Sequence, residues 1–131
     1  MYFFETMVQE THLDIFGHMN NARYLEVFEQ ARWDLITQRG FSLKKIQEVG
    51  QGPVILEAHL RFLKELKQRD KIKISVECTE YNGKIGKLKQ EMLNEKGEVC
   101  AELIVVIAFF DLKTRKIILP TPEWKTAIGI S

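Results

Sequence analysis

The sequence predicts an α+β fold in which an antiparallel β-sheet is wrapped around one long central helix. The first indication is a helical pattern over Asn21–Gln38 whose apolar residues cover more than one face, so that this helix needs to be enclosed on most sides. The second is the series of strand-like segments that follows, because short turns between strands favour antiparallel pairing. With 131 residues, 45% of them hydrophobic and 28% charged, the chain is expected to form a single domain over residues 1–131.

The first third of the chain is predicted to contain one strand, a loop and the central helix. Loose alternation of apolar residues indicates a strand over residues 2–10, and Gly40 is expected to stop the helix. The main apolar stripe of the helix consists of Tyr24, Val27, Phe28, Ala31 and Leu35. Further apolar surface comes from Ala22, Leu25, Trp33 and Ile36. A helix with this much apolar surface is predicted to lie inside the fold.

Residues 53–63 are predicted to form a long strand, because apolar and polar residues alternate along them. The alternation assigns one face to Val54, Leu56, Ala58, Leu60 and Phe62. It assigns the other, less apolar face to Ile55, Glu57, His59 and Arg61.

The rest of the chain is predicted to add further strands joined by short turns. Residues 71–81 alternate cleanly, with an inward face made of Ile72, Ile74, Val76 and Cys78. Asn82-Gly83 is a strong hairpin signal that leads into a strand over residues 84–93, with Leu88 and Met92 on its apolar side. After a turn at residues 94–97, residues 99–112 are apolar on both faces, as in a strand in the middle of a sheet or at an interface. An extended piece at residues 116–120 is expected to add an edge.

Composition argues against several classes of partner. A formal net charge of +1, with basic residues interleaved among acidic ones, does not favour nucleic acid. The longest apolar run, residues 103–110, is too short to span a bilayer, so no membrane partner is expected. The N-terminus has no basic leader and no cleavage site, and the expected location is the cytoplasm. Neither the three histidines nor the two cysteines have metal-ligand spacing, so no metal is expected and the thiols are predicted to be reduced and buried.

A short segment ahead of the helix carries the residues best suited to chemistry. It runs Asp14-Ile15-Phe16-Gly17-His18-Met19-Asn20-Asn21-Ala22-Arg23-Tyr24. Backbone N–H groups at a helix N-terminus receive developing negative charge, and a nearby carboxylate attacks a carbonyl or activates water. The alternative interpretation is that Asp14, Asn20 and Asn21 only shape the loop and cap the helix, which such residues commonly do.

The pattern Asp14-x-x-Gly17-His18-Met19-Asn20-Asn21-Ala22-Arg23-Tyr24-Leu25, opening a long buried helix, resembles the signature of the hotdog-fold acyl-thioesterases. The 4-hydroxybenzoyl-CoA thioesterase-like branch is the nearest match. The resemblance implies a hotdog fold, hydrolysis of an acyl-CoA or acyl-carrier-protein thioester, and no cofactor, since coenzyme A is part of the substrate. It also implies a homodimer or homotetramer with active sites shared between subunits. The uncovered edges and outer face of the predicted sheet independently indicate self-association.

The resemblance also implies roles for individual residues. Asp14 matches the catalytic carboxylate, and Asn21 matches the position whose backbone N–H polarises the thioester carbonyl. Gly17 matches the residue that lets the loop turn beside the substrate. Asp14 is expected to act either as a nucleophile or as a general base on water, and the sequence does not separate the two.

Four further positions are candidates with two interpretations each. His18 either orients Asp14 or a water molecule in catalysis, or packs beside the loop as a neutral residue. Asn20 is a candidate substrate contact that also suits capping of the helix or bracing of the loop. His59 and Arg61 either face the substrate or lie on an exposed or interface surface.

Two other functions compete with hydrolysis. A non-catalytic module that binds acyl thioesters as a ligand sensor is the alternative from a different class. This alternative is less favoured, because no DNA-binding segment is recognised through which a sensor would act. A hotdog enoyl-thioester hydratase is disfavoured, because His18 follows Asp14 by four residues where the hydratases have five, and the Asn-Pro between them is missing.

Overall fold

Seven antiparallel strands and three α-helices are found in residues 1–130, the part of the chain that the computed structural model describes. The helices are α1 (Asn21–Gln38), α2 (Leu43–Val49) and α3 (Pro122–Ile128), and a 3-10 turn covers Glu10–His12. The strands are β1 (Phe3–Met7), β2 (Gln51–Phe62), β3 (Lys71–Ser75), β4 (Glu77–Asn82), β5 (Ile85–Leu93), β6 (Val99–Asp111) and β7 (Lys116–Ile118). The sheet order is β1-β3-β5-β6-β2, with β4 paired to β5 and β7 to β6. The predicted α+β architecture is confirmed.

Helix α1 lies against one face of the sheet and has the predicted bounds. Its apolar stripe is buried as expected, and Phe28 and Ala31 have no exposed surface. The prediction that the helix is enclosed on most sides is wrong for one side, because Leu25 and Trp33 remain 43% and 36% exposed. Helix α1 contacts β1, β3 and α3, and these elements leave the side that carries Leu25 and Trp33 only partly covered.

Two short helices were not predicted from the periodicity of the chain. Ser42 caps α2 and Thr121 caps α3, with Pro122 at the first position of α3. These are ordinary helix-start signals, but seven residues are too few for a clear helical period. Helix α3 closes one end of the core, where the Trp124 ring stacks on Phe109 at a centroid distance of 5.3 Å.

The predicted strand over residues 71–81 is interrupted after Ser75. The pairing of β3 and β4 with β5 keeps one register across the break, from Ile74 opposite Met92 to Glu77 opposite Lys89. Between them the backbone N–H of Glu91 donates to the side-chain hydroxyl of Ser75 at 3.0 Å. The hydroxyl of Ser75 therefore replaces a backbone carbonyl as the acceptor for Glu91. The backbone hydrogen bonds to β5 are interrupted at this point, and the predicted strand becomes β3 and β4.

A β-bulge in β2 changes which residues share a face. The pairing with β6 moves from Ile55 opposite Ile107 to Glu57 opposite Val106, so Leu56 is the extra residue. Ala58, Leu60 and Phe62 share the helix-facing side as predicted. Ile55 lies on that side too, whereas Val54 lies on the opposite one, so the assignment of these two residues was wrong. Strict alternation cannot hold across a bulge, because the extra residue inverts the phase.

A buried glutamine in β5 joins α1 to the sheet. Gln90 is 0% exposed, and its amide donates to the carbonyl oxygen of Phe28 at 3.0 Å while its own oxygen accepts from Arg32 Nη1 at 2.9 Å. Burial lowers the pKa of the Arg32 guanidinium. A buried amide that is bonded at both ends holds the helix at one rotation and height, because hydrogen bonds are directional.

Residues 1–130 contain no helix that is long and apolar enough to cross a membrane. Within the same range, no group of three or more His, Cys, Asp or Glu side chains is placed to hold a metal ion. Cys78 and Cys100 are free thiols, and burial raises the pKa of both. Cys100 is fully buried as predicted, whereas Cys78 is only partly buried.

Replacement of Gln90 by Met is expected to lower the free energy of unfolding by about 1–3 kcal/mol, because two hydrogen bonds are lost in the core. Lys89→Met is the matched control. Lys89 is the next residue on the opposite face of the same strand, and its replacement is expected to change stability by less than about 0.5 kcal/mol. Urea denaturation followed by circular dichroism measures both variants. Equal stabilities for the two would contradict this role for Gln90.

Candidate active site

The loop between the 3-10 turn and α1 is closed on itself by backbone hydrogen bonds. The N–H of Asp14 donates to the carbonyl of His18 at 2.8 Å, and Leu13 and Met19 form a β-bridge. The N–H of Met19 also donates to the carbonyl of Leu66 at 2.8 Å, which ties the loop to the segment after β2. Gly17 has a φ of +79°, a conformation that favours glycine, so the predicted turn is present at this position.

Asp14 has one carboxylate oxygen in a structural role and one without a partner. Oδ1 accepts hydrogen bonds from the backbone N–H of Phe16 at 2.8 Å and of His18 at 3.1 Å. No residue among 1–130 donates to Oδ2. The loop-shaping interpretation of Asp14 is therefore correct for Oδ1, and the same two bonds hold Oδ2 in a defined direction for chemistry.

The N-terminus of α1 presents an open backbone donor beside Asp14. Asn20 caps the helix, because its Oδ1 accepts from the N–H of Ala22 at 2.9 Å and its carbonyl accepts from Arg23. The N–H of Asn21 has no acceptor among residues 1–130. A free N–H at the first turn of an 18-residue helix, with the helix dipole behind it, suits a developing oxyanion.

These two groups line the same open cavity of about 450 Å³. Its walls are Asp14, His18, Met19, Asn21, Tyr24, Phe62, Leu63, Lys64 and Glu65. The rings of Tyr24 and Phe62 pack edge to face, at a centroid distance of 5.1 Å. The cavity thus joins the loop, the start of α1 and the end of β2, and it brings Asp14, His18 and Asn21 together.

The sequence analysis did not single out Glu65, which places a second carboxylate in the cavity. Glu65 Oε2 lies 3.3 Å from His18 Nε2. The contact depends on the β-bridge between His18 and Lys67, which brings the segment after β2 alongside the loop. No local pattern in the sequence indicates this proximity, since the two residues are far apart in the chain.

Tyr24, which the sequence analysis assigned only to the core, also reaches this cavity. Burial raises the pKa of its phenol to about 12, and the negative charges of Glu65 and Asp14 act in the same direction. The phenol is therefore protonated at neutral pH and is suited to donate a hydrogen bond rather than to act as a base. The position of Tyr24 in the motif, three residues after Asn21, was the feature of the sequence that could have predicted its place in the cavity.

The other predicted site residues lie outside the cavity within one chain. His59 and Arg61 pair with Ile104 and Glu102 on the face of the sheet turned away from α1. Asn20 and Gly17 shape the loop and the helix start, and neither lines the cavity wall.

Basic residues near the cavity differ in their pairing. Lys64 forms an ion pair with Glu98, and Arg69 pairs with Glu10 at 2.7 Å. Lys67 forms no ion pair with the described residues, and its backbone bridges to His18. Phosphate groups are bound in proteins by free Arg or Lys side chains. Of these three side chains, that of Lys67 is therefore the one whose positive charge is available to a phosphate.

Comparison with known proteins adds both sequence and structural relatives. The sequence profile of the thioesterase-like superfamily matches residues 8–128. The long-chain acyl-CoA thioesterase FadM of Escherichia coli (strain K12) is 33% identical over 110 residues, which are 83% of this chain and 83% of FadM. The crystal structure of the probable thioesterase YbaW from Escherichia coli superimposes with a TM-score of 0.84 at 28% identity, over 95% of this chain and 94% of YbaW.

A more distant structure shares the fold. The hypothetical protein SAV2348 from Staphylococcus aureus, solved in complex with CoA, superimposes with a TM-score of 0.90 at 22% identity. The superposition covers 97% of this chain and 80% of SAV2348.

All three tyrosines are expected to titrate above their ordinary pKa of 10.0, since burial raises the pKa of Tyr2, Tyr24 and Tyr81. At pH 10 the folded protein should therefore show much less tyrosinate absorbance than the same protein in guanidinium chloride. The stabilisation linked to these raised pKa values is complete below pH 10, and for Tyr24 it is lost as the pH rises towards about 12. Equal absorbance in the folded and unfolded samples at pH 10 would contradict this assignment.

Proposed function

Because the chain belongs to the thioesterase-like superfamily, and its α+β structure is the hotdog fold of that superfamily, we propose that it is an acyl-CoA thioesterase that releases a free acid and a thiol. The observation that carries the proposal is the pair of unpartnered groups in one cavity, Asp14 Oδ2 and the N–H of Asn21. The named activity of FadM supports it, since FadM matches most of the chain.

In the proposed reaction the thioester carbonyl oxygen accepts a hydrogen bond from the N–H of Asn21. Negative charge develops on this oxygen as the carbonyl carbon becomes tetrahedral, and the dipole of α1 stabilises that charge. A single well-placed donor of this kind contributes about 3 kcal/mol to stabilisation of the transition state. Asn20 supports the arrangement indirectly, because it caps Ala22 and leaves Asn21 free.

Asp14 supplies the other half of the reaction by one of two routes. In the first, Oδ2 attacks the thioester carbon, the C–S bond breaks and the thiolate leaves, and water then hydrolyses the mixed anhydride. In the second, Oδ2 takes a proton from a water molecule whose oxygen attacks the same carbon; the C–S bond then breaks, the thiolate leaves, and the proton held by Asp14 is released with it as the thiol. Both routes need the carboxylate to be fixed, which the N–H groups of Phe16 and His18 achieve through Oδ1.

His18 has a positioning role in this proposal. Its backbone N–H donates to Asp14 and so helps to fix the carboxylate, while its imidazole ring lies 3.3 Å from Glu65 at Nε2. The reaction as proposed uses no metal and no further cofactor. The narrower assignment to the 4-hydroxybenzoyl-CoA thioesterase-like branch and the cytoplasmic location stay predictions from the sequence.

A homodimer formed through β2 is part of the proposal. β2 is the last strand in the sheet order, so one of its sides has no strand partner among residues 1–130. Ile55, Leu56 and Phe62 on this strand, and Leu63 directly after it, are each between 44% and 51% exposed. A long edge strand with exposed apolar side chains favours pairing with a second copy of the chain. The exposed loop residues Ile15 and Phe16 would then lie near the shared sites.

Asp14→Asn is expected to leave the fold intact, because an amide oxygen still accepts the two backbone hydrogen bonds. Release of free thiol from a panel of acyl-CoAs should fall by about 10²–10⁴-fold, since the amide is neither a nucleophile nor a base. Asp111→Asn is the matched control, because Asp111 Oδ1 also accepts from an N–H two residues later, that of Lys113 at 2.9 Å.

Near-wild-type turnover in Asp14→Asn would refute the mechanism. Binding of acyl-CoA without thiol release by the wild type would favour the non-catalytic binding module instead.

Leu56→Asp is expected to convert the proposed dimer into a monomer, because it places a charge on the edge of β2. Sedimentation velocity measures the oligomeric state. Leu119→Asp is the control, since Leu119 is 61% exposed and lies outside β2. A wild type that sediments as a monomer would exclude the proposed pairing.

A further inference from the structure

The segment after β2, residues 63–67, lies against the loop that carries Asp14, and we propose that Glu65 of this segment is a positioning residue of the candidate active site. Its carboxylate holds the imidazole ring of His18, and the backbone of His18 holds the carboxylate of Asp14. The inference rests on the proposed function, because it gives Glu65 a part in the hydrolysis that Asp14 carries out. It also predicts how this hydrolysis depends on pH.

The segment is joined to the loop by contacts of two kinds. The backbone contributes the hydrogen bond from the N–H of Met19 to the carbonyl of Leu66, at 2.8 Å, and the β-bridge between His18 and Lys67. The side chains contribute the contact of 3.3 Å between Glu65 Oε2 and His18 Nε2. The backbone contacts fix where the two segments meet, and the side-chain contact fixes the direction of the His18 ring.

The position of His18 in turn determines the position of the Asp14 carboxylate. The N–H of His18 donates to Asp14 Oδ1 at 3.1 Å, and its carbonyl accepts from the N–H of Asp14 at 2.8 Å. His18 thus contacts Asp14 through its backbone and Glu65 through its ring. A displacement of about 1 Å in a reacting group lowers a rate by as much as about 100-fold, so a small movement of His18 matters for Asp14 Oδ2.

Glu65 has no competing cationic partner. Its neighbour Lys64 is paired with Glu98 instead, and among residues 1–130 the His18 ring is the one basic group within 4.0 Å of the Glu65 carboxylate. The side chain of Glu65 is 68% exposed and that of His18 is 33% exposed. An exposed pair of this kind contributes little to folding stability, because water screens it. Its effect therefore falls on the orientation of the ring.

The strength of this contact depends on the charge of the imidazole. A protonated ring and a carboxylate attract each other as opposite charges, whereas a neutral ring retains only a hydrogen bond. The other charged or titratable groups that face the ring come from the loop, from the segment after β2 and from α1, and they are Asp14, Lys64, Lys67 and Tyr24. Of the carboxylates in residues 1–130, that of Glu65 alone lies within 4.0 Å of an imidazole nitrogen of His18. Its removal therefore deletes the contact that changes with protonation of the ring.

The competing interpretation is that Glu65 only places negative charge at the mouth of the cavity. Coenzyme A carries phosphates, so a carboxylate in that role would repel the substrate. Its removal would then lower KM for acyl-CoA and leave kcat unchanged. Positioning predicts the reverse, because a displaced Asp14 carboxylate slows the reaction of bound substrate.

The first test compares wild type, Glu65→Ala and Glu65→Gln in thiol release from the acyl-CoA that the wild type hydrolyses best. Glu65→Ala should lower kcat about 10-fold with KM changed less than about twofold, since the contact is lost at every pH. Glu65→Gln offers an amide oxygen that accepts from a neutral ring but has no charge to attract a protonated one. Its kcat should approach that of the wild type near about pH 8 and fall about 10-fold below it near about pH 6, across the range in which histidines titrate. Glu80→Ala is the matched control, because Glu80 pairs with Lys87 at 3.2 Å outside the cavity.

A double-mutant cycle tests whether Glu65 acts through His18. His18→Phe keeps the backbone hydrogen bonds to Asp14 and removes the ring nitrogens. In the His18→Phe protein, Glu65→Ala should lower kcat by less than about twofold, because the effects of residues in contact are not additive. The same loss of kcat in both backgrounds would overturn the inference.

Amide hydrogen exchange separates failure of this inference from failure of the proposed function. The N–H groups of Asp14 and Met19 close the loop and join it to the segment after β2. Both should exchange about 10-fold faster in Glu65→Ala than in the wild type, whether or not the wild type hydrolyses thioesters. Faster exchange in a chain without thioesterase activity would refute the proposed function and support the positioning role. Unchanged exchange at both amides would overturn the inference, and so would a lower KM at unchanged kcat, which would assign Glu65 to repulsion of the substrate.

Discussion

The position of α1 against the sheet is the constraint on which the rest of the structure depends. Phe28 and Ala31 are fully buried at this contact, and removal of a side chain as large as that of Phe28 from water contributes about 1.5–3 kcal/mol. Apolar contacts alone tolerate rotation of a helix, whereas the two hydrogen bonds of Gln90 do not. The same contact therefore directs the N-terminus of α1, with the N–H of Asn21, towards the loop that holds Asp14.

Structural and chemical roles are combined in the loop before α1. Polar residues ahead of a helix usually serve as caps, and Asn20 does so here. Because Asn20 satisfies Ala22, the donor of Asn21 is left open at the cavity. The carboxylate of Asp14 likewise has two roles. Its Oδ1 accepts the hydrogen bonds that close the loop, and its Oδ2 has no partner among residues 1–130. The hydrogen bonds that close this loop thus leave Asp14 Oδ2 and the N–H of Asn21 without partners in the same cavity.

The partly uncovered side of α1 connects the fold to the proposed dimer. The helix has more apolar surface than the sheet covers, and the excess lies along Leu25 and Trp33 next to β2. In a monomer this surface would be exposed to water at a cost in free energy. The proposed second copy would cover part of it along the strand edge.

The sequence by itself determined the elements whose signals are local: the bounds of α1, the hairpin at Asn82-Gly83, and the motif that places Asp14 ahead of the helix. These depend on side-chain periodicity, turn chemistry and capping, which neighbouring residues specify. Only the tertiary structure decided that Ile55 faces α1 and that Glu65 meets His18. The first follows from a bulge whose position depends on pairing with β6, and the second from a bridge between distant segments. Neither has a local signature, because long-range pairing selects one register among several that the same residues allow.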